Sequence, residues 1–139
     1  MQNLVEMFYG LVDPSIDERG VYPHHALVMS QDDKLTMMAL DLFPEQVLRA
    51  MVVEILKGAK ELIYGLDRTC LDGQGTTLGD CVAGVYWNGT EFKPFIIEYQ
   101  HSPRIVKEIN WDNEFWTSAL QGEIAFLQSK SKILDSLLP

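Results

Sequence analysis

Two cysteines, three histidines and eleven basic residues are all that this 139-residue chain holds of the groups most used for metal binding, redox chemistry and phosphate binding. Cys70 and Cys81 are too few for a disulfide scaffold. A chain this long builds a core without staples, so both are expected as free thiols in a reducing compartment, with a single bridge the alternative if they meet on adjacent strands. His24 and His25 are neighbours in sequence, and on a strand they point to opposite faces, so one metal cannot readily take both. No zinc-type spacing links them to His101 or to the cysteines, and neither metal nor cofactor is expected.

Positive charge is the scarcer sign. Twenty acids against eleven bases give a formal charge of −9, spread along the chain. Such a surface repels phosphate backbones, which argues against direct nucleic-acid binding. Scattered acids read first as solubility. The sharper alternative is an acidic inhibitor that mimics nucleic acid to occupy a partner. No apolar run reaches the roughly 20 residues that span a bilayer, and the N-terminus carries Glu6 and no basic segment, unlike a secretory signal. The expected location is cytoplasmic.

Catalytic signatures are missing as well. There is no G-x-S-x-G elbow. The glycine-rich stretch Asp72-Gly73-Gln74-Gly75-Thr76-Thr77-Leu78-Gly79-Asp80 lacks the Lys-Ser/Thr of a P-loop and the G-x-G-x-x-G spacing of a dinucleotide site. Its backbone N–H groups, hydroxyls and carboxylates still make it the best ligand-contacting loop in the chain. Asp72, Thr76, Thr77 and Asp80, with His24 and His101, form the candidate ligand set.

What the chain does have is strand and helix patterning. Residues 81–99 set two runs of β-branched and aromatic residues around Asn88-Gly89, which predicts a β-hairpin closed by a type I′ turn. Asn88-Gly89-Thr90 also matches a glycosylation acceptor, and turn chemistry explains it. Pro94 lacks a ladder donor and places its strand at an edge or bulge. Residues 1–12 read as an amphipathic helix ended by Asp13-Pro14, and 13–23 as a connection. His25 to Ser30 and Leu35 to Leu40 read as a first hairpin.

Pro44 opens the best helix, 44–58, with Val47, Leu48, Met51, Val52, Ile55 and Leu56 in one stripe and Gly58 at its end. Glu61 to Cys70 is a strand with Leu62, Tyr64 and Leu66 on one face and Ile63 on the other. If it joins the sheet of Leu35 to Leu40, helix 44–58 is a right-handed crossover between strands running the same way. A short strand at 105–109 and a C-terminal helix over 111–138, with Asn110 and Asp112 as cap candidates, complete the order α-ββ-α-βββ-α. The fold class is α+β: one domain over 1–139, with about five mostly antiparallel strands in 24–109 packed by the central and C-terminal helices.

Tyr86, Trp87, Trp111, Phe115 and Trp116 are unusually concentrated. Core packing explains such a cluster, and so does an anchor patch for a protein partner or a second copy. The leading expectation is therefore a small soluble protein-interaction or ligand-binding module without catalysis of its own, possibly homodimeric. The alternative is a small hydrolase using loop 71–80 with His24 and His101.

Overall fold

The computed structural model describes residues 3–16, 25–39, 44–71, 77–101, 104–111 and 114–137. Its centre is a six-stranded sheet made of β1 (His25–Met29), β2 (Leu35–Ala39), β3 (Glu61–Leu71), β4 (Thr77–Trp87), β5 (Phe92–His101) and β6 (Arg104–Val106). The spatial order is β2-β1-β3-β4-β5-β6. Among the described residues four helices surround it: α1 (Leu4–Ser15), α2 (Pro44–Leu56), α3 (Glu114–Ala119) and α4 (Gln121–Leu137). Every neighbouring strand pair is antiparallel. β2 and β3 both oppose β1, so they run the same way with β1 inserted between them. The α+β class and the order of elements follow the sequence pattern.

Alternation along β3 fixes the two faces. Leu62, Tyr64 and Leu66 join Val28, Val85 and Trp87 in a core closed by Val47, Met51 and Ile55 of α2 and by Ile124 and Leu127 of α4. Cys81, Ala83 and Ile96 extend that face under Trp116 and Leu120. On the opposite face Leu27, Ile63, Val82, Phe95, Ile97 and Tyr99 pack against Leu4, Phe8 and Val12 of α1. Burying each such side chain stabilises by about 1.5–3 kcal/mol before entropy is counted.

One glycine lets α1 sit close and a second lets β3 and β4 pair closely. Gly65 and Gly84 oppose each other across β3 and β4. A Cβ on Gly65 would lie 2.8 Å from Cζ of Phe8, and one on Gly84 would collide with the Tyr64 carbonyl. Phe8 instead rests edge-on against Phe95, with ring centroids 5.7 Å apart.

Helix ends are set locally. Asn3 caps α1, its Oδ1 accepting from the Glu6 N–H at 2.8 Å. α1 passes through Asp13-Pro14 to Ser15, beyond the expected stop at residue 12. A proline removes only its own N–H, and in the last turn the Ile16 N–H still reaches the Val12 carbonyl at 3.2 Å. Gly10 lies inside α1, where a glycine costs about 1 kcal/mol relative to alanine. A Cβ there would meet nothing within 4 Å. α2 ends in a Schellman motif. Gly58 takes φ +92°, its N–H donates to Ile55, and the Ala59 N–H donates to Glu54.

Two local expectations need correction. The β4–β5 loop is not a two-residue type I′ turn. Trp87 pairs with Phe92, leaving four residues in the loop, and Gly89 alone among them has positive φ. Asn88 Oδ1 accepts from the Thr90 and Glu91 N–H groups at 2.9 and 2.8 Å, so the asparagine works through its side chain. The expected helix 111–138 is two helices meeting at Leu120. The bonds Leu120 N–H to Trp116 and Ile124 N–H to Leu120 carry the chain across the join, and the two helices serve different neighbours, α3 packing on β5 and α4 on α2. Asn110 exchanges both backbone bonds with Ile96 at 3.0 and 2.8 Å, a rung that extends the β5 ladder. Asp112 lies outside the described residues.

Candidate functional site

Three tyrosines each donate a hydrogen bond to a carboxylate, and these are the most distinctive polar contacts of the fold. Tyr64, fully buried in β3, donates to Glu123 of α4 at 2.6 Å. Arg68 holds the other oxygen of Glu123, so α4 is tied to β3 by a half-buried trio. Burial, then the Glu123 charge, pushes the Tyr64 hydroxyl well above its ordinary range. Tyr86 donates to Glu61 across the β3–β4 pair, and burial followed by that bond pushes its pKa up to about 12. Tyr99 donates to Asp67, and its pKa rises through burial first, then that bond, then the charges of Asp67, Asp80 and Cys81. A tyrosine held protonated in this way orients a carboxylate; it offers no base near neutral pH.

Of the candidate ligand set, Asp80 is exposed on β4, opposite Tyr99 on β5 and Thr69 on β3. Thr77 begins β4 and pairs with Leu71, while His101 ends β5 and pairs with Arg104. For both, the description extends to the backbone alone. His24, Asp72 and Thr76 lie outside the described residues. Among the described residues no group of three or more His, Cys, Asp or Glu side chains could hold a metal. Cys81 is buried and in no disulfide.

The aromatic set divides in two. Trp87 is buried and stacks on Phe92 at 5.9 Å. Trp116 is buried over Cys81 and Ile96, with Phe115 edge-on against it at 5.4 Å. Tyr86 and Trp111 are half-buried, edge-on to each other at 6.2 Å. With Phe92, Lys93, Pro94 and Thr117 they line a recess of about 430 Å³. The recess lies beside the first half of β5. Among the described residues the ladder on its outer side ends at the Ile96–Asn110 rung. Backbone directions repeat every second residue, so Pro94 turns its donorless nitrogen to that open side. This explains how a proline is tolerated in a strand that is an edge for only half its length.

The opposite edge of the sheet is the more exposed. The Ser30 N–H to Lys34 carbonyl bond, at 2.9 Å, sets the phase of the β1–β2 ladder. Thr36 and Met38 therefore bond toward β1, and the backbone groups of Leu35, Met37 and Ala39 face outward. Leu35 and Met37 share one face and are 47% and 58% exposed. Neither stands out in the sequence, because Leu-Thr-Met-Met-Ala is apolar on both sides and alternation alone does not say which side is covered.

No helix among the described residues is long and apolar enough to cross a membrane. Comparison with family models, with curated proteins and with solved structures finds no match to this chain.

Proposed function

We propose that this protein is an interaction module without chemistry of its own and that it associates with a second copy of itself through β2. The observation that carries the reading is a strand edge left unpaired among the described residues, with Leu35 and Met37 exposed side by side along it. Edge strands are normally blunted by proline, a bulge or charge. β2 has none of these between Leu35 and Ala39. Its sequence is self-compatible about a two-fold axis at Met37: Leu35 of one copy faces Ala39 of the other, and Met37 faces Met37. The outward backbone groups then bond across the axis and the sheet continues through the dimer.

Strands of five residues bury less than the roughly 1,600 Å² of a standard interface, so the association is weak, on the order of micromolar. Sedimentation velocity up to about 100 μM tests it. A dimer is expected that Met37→Lys converts to monomer with unchanged circular dichroism. A monomer throughout, or a dimer indifferent to Met37→Lys, would remove the reading.

A further inference from the structure

A groove of about 580 Å³ lies between α1 and the segment after β6, lined by Val5, Glu6, Tyr9, Gly10, Glu108 and Ile109. Val5 and Ile109 are half-buried and give it an apolar floor, while Glu6 and Glu108 are exposed at its rims. Tyr9 ties the two walls together, its hydroxyl donating to the Lys107 carbonyl at 3.0 Å. Among the described residues no cation lines the groove. The nearby Lys107 ammonium lies 2.8 Å from Glu98 and is engaged there. Glu6 and Glu108 take no ion pair among the described residues.

Gly10 gives a second, independent indication. It sits inside a helix at a cost in stability, yet a Cβ at that position would stand in open space. Packing among the described residues does not require this glycine. Its effect is to leave bare backbone in the wall of the groove, where an incoming chain can approach closely.

We propose that this groove docks a cationic, apolar-faced peptide segment of a partner protein. The apolar floor takes its hydrophobic side chains, the two free carboxylates take its lysines or arginines, and Gly10 admits its backbone. Nucleic acid and anionic membrane are both repelled by the same rims. The site is separate from β2 and stands whether or not the chain dimerises.

A fluorescently labelled amphipathic Leu/Lys peptide, with a Leu/Glu peptide of the same pattern as control, tests this by anisotropy titration. The Leu/Lys peptide is expected to bind and the Leu/Glu peptide not to. Glu6→Gln combined with Glu108→Gln should weaken binding about tenfold or more, since rim charges are lost on the side that meets the lysines. Glu45→Gln with Glu91→Gln removes the same charge from exposed positions elsewhere and should change it less than about twofold. Gly10→Leu should abolish binding with unchanged circular dichroism. Gly10→Ala should raise the thermal midpoint while weakening binding, two effects that a merely structural glycine would not combine. Absence of Leu/Lys binding, equal weakening by the two charge pairs, or full binding by Gly10→Leu would each overturn the proposal.

Discussion

Tyrosine hydroxyls account for where the partly covered carboxylates of this chain can sit. Glu123 is accepted against a sheet face because Tyr64 and Arg68 both donate to it. Removing one donor leaves a desolvated carboxylate short of a partner, which costs about 1–3 kcal/mol. Tyr64→Phe should lower stability by that amount in urea denaturation, with the fold retained. The same pairs set a pH dependence. In Tyr86 the folded pKa is raised from 10 to about 12, so the native state holds the phenolic proton more tightly than the unfolded chain. Its contribution is fully present below pH 10 and is lost as the pH climbs through 12. Tyr99 and Tyr64 shift in the same direction and carry the loss further into alkali. Alkaline unfolding followed by tyrosinate absorbance should therefore show stability falling above pH 10, less steeply in Tyr86→Phe and Tyr99→Phe.

Among the elements, the β3–β4 pair is the one the others are built on: α1 packs on one face, and α2, α3 and α4 on the other. Its tolerance to change differs between two adjacent glycines. At Gly65 a new methyl meets the side chains of Val82 and Phe8, which can shift, and Gly65→Ala should cost about 1–3 kcal/mol. At Gly84 the obstruction is the Tyr64 backbone carbonyl, which the ladder holds in place. Gly84→Ala should cost more than about 4 kcal/mol or abolish folding. Equal thermal midpoints for the two variants would mean that β3 and β4 do not approach as described. The neighbouring hairpin shows why a wrong turn type did little harm. Closing the loop with four residues instead of two changes the register by an even number, so each side chain keeps its face. Phe95, Ile97 and Tyr99 of β5 accordingly lie in one core and Ile96 on the other face, as alternation along the strand requires.

For the whole molecule, a sheet covered by helices on both faces leaves its edges as the routes to assembly. Hydrogen exchange reads this directly. If two copies pair through β2, the amides of Leu35, Met37 and Ala39 should become slower to exchange as protein concentration rises, while those of Thr36 and Met38, already bonded inward, should not change. Uniform, concentration-independent exchange along β2 would count against pairing. The periodicities of 2.0 and 3.6 residues were enough to give the order of the elements and the two faces of β3, because those patterns reflect local geometry that each segment carries with it. The caps at Asn3 and Gly58 are likewise local, although only Gly58 was singled out from the sequence. What the tertiary structure alone decided is which strands became edges, that Leu35 and Met37 stay uncovered while Trp87 and Trp116 do not, and that Glu6, Gly10 and Glu108 meet at one groove. Those outcomes depend on contacts between residues far apart in the chain, and no short-range pattern specifies which of two equally apolar faces a helix will cover.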